Sequence, residues 1–309
     1  MLKIRKLILA CIALAVAISS VPLVLAAQND GSIGMTLTPT KARLQIEPDQ
    51  EYTGVFTVIN SGETAFDFFV YAAPYKVSGE DYEPNFTEET RRTQIARWIS
   101  FEQEEFRAEP GDEVEVEYRI RTPESIPAGG QYAVIFAQTR EDQDSEATGI
   151  TAAKRVGILI YAEAYGETIE EGGLLSNRIS LWQTNSLRAE FRVENTGNTD
   201  FDAVSRLTVD RLTGRNIYDS GEINYIIMPE TIRRAVNEWK DVPYIGLFWV
   251  TSEVSVLGED YTNRRLVLVA PPFVPIMFMI ALGAIVVLIV LKVRKGRKYG
   301  KKVKRLSRK

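Results

Sequence analysis

The chain has 309 residues, 45% hydrophobic and 25% charged, with a formal net charge of −4, a composition that fits a folded protein and is too apolar for a disordered one. Histidine is absent, which excludes imidazole-based nucleophile systems, His-rich zinc sites and the usual near-neutral acid–base pairs. The sole cysteine, Cys11, lies in a segment with the marks of a cleaved leader, so the mature chain is expected to hold no disulfide and no thiolate metal site.

Residues 1–27 read as a signal peptide. Lys3, Arg5 and Lys6 open it, an apolar run follows from Leu7 to Ile18, and Ser19, Ser20 and Pro22 precede the small pair Ala26-Ala27, where cleavage is expected. The charge of the whole chain hides a segregation. The leader holds three basic and no acidic side chains and residues 292–309 hold eleven basic and none acidic, so the body between carries eighteen more acidic than basic side chains.

That body reads as strands and turns. Further strands are expected at 42–47, 52–59, 66–74, 130–139 and 151–165 around the clearest one, in which Val114, Val116, Tyr118 and Ile120 alternate with charged residues after the turn Glu109-Pro110-Gly111-Asp112. One exception, a short surface helix or turn, is expected over 88–99, where Ile95, Trp98 and Ile99 fall at helical spacing. The acidic, Gly-rich stretch 166–174 marks a linker. Beyond it, Leu187, Ala189, Phe191 and Val193 alternate with Arg188, Glu190, Arg192 and Glu194, and strands are expected at 177–183, 200–209, 246–257 and 263–269. Short strands with recurring turns predict an all-β architecture: two immunoglobulin-like β-sandwich domains, 33–168 and 175–270.

Phe273 to Leu291 carries no charge over nineteen residues, follows Pro271-Pro272 and precedes the basic tail 292–309. The pattern predicts one C-terminal transmembrane helix over 273–291, with the body outside a plasma membrane and the tail cytoplasmic beside anionic lipid. The tail has one aromatic, Tyr299, and no folded context, so nucleic acid is not an expected partner.

Candidate chemistry is sparse. Asp142, Asp144 and Glu146 form one acidic loop, and Asn195, Asn198, Asp200 and Asp202 another, but neither has the spacing of a calcium loop. Most placeable Glu residues sit on outward strand faces, where nothing raises a carboxyl pKa for glycoside cleavage, so no catalytic residue, metal or cofactor is expected and the chain reads as a non-enzyme. Trp98, Trp182, Trp239 and Trp249 could stack on sugar rings, but packing between sheets is the stronger reading. Asn85-Phe86-Thr87 has the form of a glycosylation sequon.

Met35-Thr-Leu-Thr-Pro-Thr-Lys-Ala-Arg-Leu-Gln-Ile-Glu-Pro-Asp-Gln, Phe56-Thr-Val-Ile-Asn-Ser-Gly, Glu109-Pro-Gly-Asp-Glu-Val and Pro127-Ala-Gly-Gly-Gln-Tyr, together with the order of leader, two domains, helix and basic tail, resemble WxL-interacting surface proteins of Gram-positive bacteria. The resemblance implies a membrane-anchored cell-surface binding protein that holds peptidoglycan or partner surface proteins, with no ligand-binding residue assigned. The first domain is also similar in pattern to PapD-like pilus chaperones, which implies an alternative: a membrane-tethered assembly factor for exported subunits. The two basic residues with which that family clamps a subunit carboxylate fall on Pro39 and near Gly157, with Lys41 and Lys154 close by. These departures count against the clamp.

Overall fold

The computed structural model describes residues 34–140 and 153–306. The leader 1–27, with Cys11, and the acidic loop Asp142, Asp144 and Glu146 lie outside the described residues.

The first body contains β1 (Met35–Thr38), β2 (Lys41–Ile46), β3 (Glu51–Asn60), β4 (Phe66–Pro74), β5 (Lys76–Ser78), β6 (Glu83–Asn85), β7 (Ile99–Phe101), β8 (Glu105–Ala108), β9 (Glu113–Arg121), β10 (Gly129–Thr139) and β11 (Arg155–Ala164). One sheet runs β1-β3-β9-β7 and the facing sheet β2-β11-β10-β4-β8. Their alternation is that of a two-layer sandwich: Val116, Tyr118 and Ile120 of β9 are buried while Glu113, Glu115, Glu117 and Arg121 are exposed. Phe56 stands opposite Val116 in the β3–β9 ladder, and both join a core with Phe68, Ile135, Ile158 and Ile160.

β10 departs from alternation because both of its faces are covered. Ala133, Ile135 and Ala137 enter the sandwich, while Tyr132, Val134 and Phe136 lie on the outer face under Tyr75, Val77 and Phe86, which belong to an excursion between β4 and β7. This excursion carries the small sheet β5–β6, and its apolar side chains convert a surface face into a second core.

The second body contains β12 (Gly172–Ile179), β13 (Trp182–Gln183), β14 (Leu187–Asn195), β15 (Phe201–Arg211), β16 (Asn216–Asp219), β17 (Ile223–Ile227), β18 (Thr231–Trp239), β19 (Gly246–Val256) and β20 (Glu259–Val269). Its sheets run β12-β14-β18 and β13-β20-β19-β15-β16, with β17 also paired to β15. Leu187, Ala189, Phe191 and Val193 all point inward. The interior is divided: Ile179, Leu207, Val250 and Val267 form one apolar cluster, and Phe191, Phe201, Ile227 and Val254 another. Polar side chains are also buried in this body, where the Asn237 amide donates to Ser205 Oγ at 2.6 Å and Tyr225 O–H donates to Asn237 Oδ1 at 2.8 Å.

Two expectations need correction, and a third resolves between its alternatives. Of the helix or turn expected over 88–99 the structure has the turn, a single 3-10 turn at Gln94–Arg97 with β7 beginning at Ile99; Thr93 Oγ1 accepts the Thr90 backbone N–H at 2.8 Å and holds the chain in a bend where a helix would start, and burial of Ile95 and Ile99 suits turn and strand equally. The strand expected from 151 begins at Arg155 within the described residues. The stretch 166–174, read as linker, contributes Gly172, Gly173 and Leu174 to β12, paired with Asn195, Glu194 and Val193. β18 was not expected, because Arg233, Arg234 and Glu238 break its apolar pattern; its buried positions are Ala235 and Asn237.

The chain continues from β20 into α1 (Phe273–Leu306). Among the described residues no helix is long and apolar enough to cross a membrane; the contiguous described side chains of α1 run from Ile276 to Val290, inside the span 273–291 read from the sequence. All of them are exposed.

Candidate functional site

The excursion between β4 and β7 reaches across to the second body and makes the site. Its turn, Gly79 to Tyr82, ends on the outer edge of β18, where the Arg234 backbone N–H donates to the Glu80 carbonyl at 2.8 Å. Glu80 accepts from Arg192 Nε at 2.7 Å and Asp81 from Arg234 Nε at 3.0 Å. Tyr82 O–H lies 2.6 Å from Thr231 Oγ1 and accepts the Met228 N–H at 2.9 Å. Because the Thr231 hydroxyl proton goes to the Met228 carbonyl at 2.7 Å, the Tyr82 phenol is the donor to Thr231. The Arg233 guanidinium lies 4.5 Å from the centre of the Tyr82 ring, a cation–π contact.

A second set of contacts closes the interface underneath. Tyr132 O–H donates to Asp200 Oδ1 at 2.9 Å and accepts the Asp200 N–H at 3.0 Å. Arg43 pairs with Asp200 Oδ2 at 2.9 Å and covers the Tyr161 ring. Burial, then the neighbouring Asp200 charge, push the Tyr132 phenol far above its usual range, so it stays protonated and keeps donating. Gly130 N–H donates to the Asn198 carbonyl at 2.9 Å. This contact explains the Gly-Gly pair before Gln131: a Cβ on Gly129 would lie 2.4 Å from the Asn198 carbonyl oxygen, and one on Gly130 would lie 1.9 Å from the Tyr132 hydroxyl.

Between these contacts lies an open cleft of two adjoining depressions, of about 440 and 760 Å³, that share Lys76, Val77, Glu230 and Thr231. Its floor is apolar, with Val77, Tyr132 and Met228 from the cluster joining both bodies. Its rim is polar: Lys76 pairs with Glu88, Arg92 pairs with Glu230 at 3.1 Å, and Arg91 stands exposed at the mouth. An apolar floor with a few fixed polar groups is the composition of a recognition site.

Glu80 gives the clasp a pH dependence. Its hydrogen bond to Arg192 holds the carboxyl below its ordinary value of 4.5. A carboxyl whose folded pKa is depressed adds stability above its unfolded pKa and loses it as pH falls through the folded value. The difference in Tm between the native chain and Glu80→Gln should therefore be constant above pH 4.5 and close below it. Thermal unfolding of both at stepped pH checks this; a gap that persists under acid would mean that the carboxylate does not carry the contact.

The residues singled out from the sequence are mostly accounted for by structure. Asn195 donates to the Thr199 and Ile227 carbonyls and accepts the Gly197 N–H. Asn198 accepts the Ile169 N–H and donates to the Glu167 carbonyl, and Asp200 and Asp202 face Arg43. This loop ties the second body to the connector and to the first body. Trp98 and Trp239 pack against the two cores, Trp249 lies under Arg264, and Trp182 is exposed, so the tryptophans form no shared platform. Asn85 Oδ1 accepts the N–H groups of Thr87 and Glu88 and holds a turn. Gly157 lies against Val134 and Phe136, where a Cβ would approach within 2.7 Å, so a basic side chain has no room there. Lys41 opens β2 opposite Leu159, and the Lys154 carbonyl accepts the Thr139 N–H while the Lys154 N–H donates to Thr139 Oγ1, both at 2.9 Å.

No protein-family model and no curated protein matches the chain. Among solved structures, the class 5 fimbriae chaperone CfaA is 11% identical with a TM-score of 0.37, covering 77% of this chain and 100% of its own. A chaperone–tip adhesion subunit pre-assembly complex from the archaic chaperone-usher Csu pili of Acinetobacter baumannii is 10% identical with a TM-score of 0.37, covering 77% of this chain and 98% of its own. The E. coli chaperone DraB is 12% identical with a TM-score of 0.35, covering 76% and 97%. These likenesses concern fold, and no residue role follows from them.

Proposed function

We propose that the chain is a non-enzymatic binding protein of the cell surface that holds peptidoglycan or a partner surface protein. The leader 1–27 is removed, 273–291 crosses the plasma membrane once, the two sandwiches lie outside, and the tail 292–309 lies in the cytoplasm against anionic lipid. The observation that carries the binding role is the cleft, framed between two bodies by ion pairs and hydrogen bonds that include Glu80–Arg192, Asp81–Arg234, Arg92–Glu230 and Tyr132–Asp200. The order of parts, which resembles WxL-interacting proteins, supports the setting. So do the exposed apolar side chains from Ile276 to Val290, since large apolar patches left facing water mark a surface that meets another phase or partner.

The test is capture by the purified ectodomain from native envelope extract and from wall polymer, with Lys76→Glu/Arg91→Glu as the altered cleft. The native ectodomain should retain one of these partners, and the double variant should lose at least tenfold. Equal capture by both proteins would remove the cleft from the function.

A second reading, a membrane-tethered assembly factor for exported subunits, is favoured by β11. Its residues Leu159 to Ala164 pair with β2, whereas Arg155 to Ile158 have β10 on one side and no ladder with any other described strand. Such an edge can accept an added strand from a partner. Capture confined to urea-unfolded exported proteins would select this reading over the first.

A further inference from the structure

We infer that the end of the second body where α1 begins is a docking surface for the interfacial layer of the bilayer, so that this sandwich stands on the outer leaflet. The inference rests on the proposal that 273–291 is a membrane anchor, and adds to it a lipid contact made by the folded domain.

The ladders set the geometry. Gly246 pairs with Val269, Trp182 with Leu268, Leu187 with Trp239, and Arg211 with Phe248. The loops 180–186, 212–215 and 240–245 and the exit of β20 therefore share one end of the sandwich, opposite the end that meets the first body. At this end Leu181, Trp182, Leu212, Tyr244 and Ile245 are each between 44% and 68% exposed.

Three observations say what covers them. First, the chain leaves this end for α1 after only Ala270, Pro271 and Pro272, and Ala270 is buried. Its carbonyl accepts from Trp182 Nε1 at 2.9 Å and from Thr184 Oγ1 at 3.3 Å, and its N–H donates to the Gln183 carbonyl at 3.1 Å. The exposed patch is thus fastened to the root of the helix, and an anchored helix brings it to the membrane. Second, three uncharged stretches converge here, 179–187 apart from its surroundings, 242–252 and 266–291, once Arg264 and Arg265 are passed. Third, the charges that frame the patch are Arg211, Arg215 and Lys240 against Asp241, all exposed, in a body that is acidic overall. Cations beside exposed Trp, Tyr and aliphatic side chains match the anionic headgroup and upper acyl region of a bilayer, where amphipathic rings partition.

The experiment uses the full mature chain in nanodiscs of phosphatidylcholine and phosphatidylglycerol. A nitroxide is attached at Tyr244→Cys or, at the opposite end of β20, at the exposed Asp260→Cys. The label at 244 should be reached better by oxygen than by a water-soluble nickel chelate, and the label at 260 the reverse. Lipids brominated near the headgroup should quench a tryptophan signal in the native chain that is missing in Trp182→Phe. If the chain co-migrates with nanodiscs but the label at 244 is as accessible to nickel as that at 260, the docking surface is overturned and the anchor stands. A label at 244 shielded from both reagents would replace lipid with a protein contact and also overturn it. A chain that does not co-migrate with nanodiscs would overturn anchor and docking together.

Discussion

Phe191→Ala should unfold the second body well before the first. The ring is fully buried, packs 5.2 Å from Tyr225 edge to face, and belongs to the cluster with Val193, Phe201, Ile227 and Val254. Truncation of such a side chain costs about 3–5 kcal/mol through lost burial and the cavity left behind, a large share of the roughly 5–15 kcal/mol by which a domain is stable. The affected transition should drop by roughly 15 °C or more. The first body keeps its own core around Phe56, Phe68 and Ile135, so its loss is limited to the clasp contacts that Arg192, Arg234 and Glu230 no longer supply. Calorimetry should show two separated transitions, with only the lower one strongly moved. A single transition that shifts as a whole would mean that the two sandwiches unfold as one unit.

Asp200→Ala should weaken the interface more than its surface appearance suggests. The carboxylate side chain is 6% exposed and accepts the Tyr132 hydroxyl, whereas its other partner, Arg43, is 48% exposed. Removing the carboxylate lets Arg43 rehydrate at little cost, but leaves a buried phenol without its acceptor, which costs about 1–3 kcal/mol. Asp200→Asn retains an acceptor and should lose less. In a double-mutant cycle, Tyr132→Phe with Asp200→Ala should cost less than the two single changes added together, since each deletes one half of the same bond. Urea unfolding of the four proteins reads the coupling; strict additivity would show that the bond contributes nothing to holding the bodies together.

The sandwich class was legible because strand alternation is a local signal. Val116, Tyr118 and Ile120, and Leu187, Ala189, Phe191 and Val193, face inward as a period of two requires. The excursion from Tyr75 to Arg92 was not legible. Its apolar residues cover the outer face of β10, and a side chain that covers a face in its own domain has the same local pattern as one on a surface loop. The one available hint was Gly129-Gly130, whose lack of side chains marks a close backbone approach.

The sequence alone determined that this is a strand-built chain free of imidazole chemistry, with basic runs at both ends and an acidic body between them, because composition, alternation and charge runs depend only on neighbours along the chain. Only the tertiary structure decided which distant residues meet around the cleft. Glu80 meets Arg192, Tyr132 meets Asp200 and Trp182 meets Ala270 across 112, 68 and 88 residues. Pairings at that separation are selected by the packing of whole sheets against one another, and no local preference encodes them.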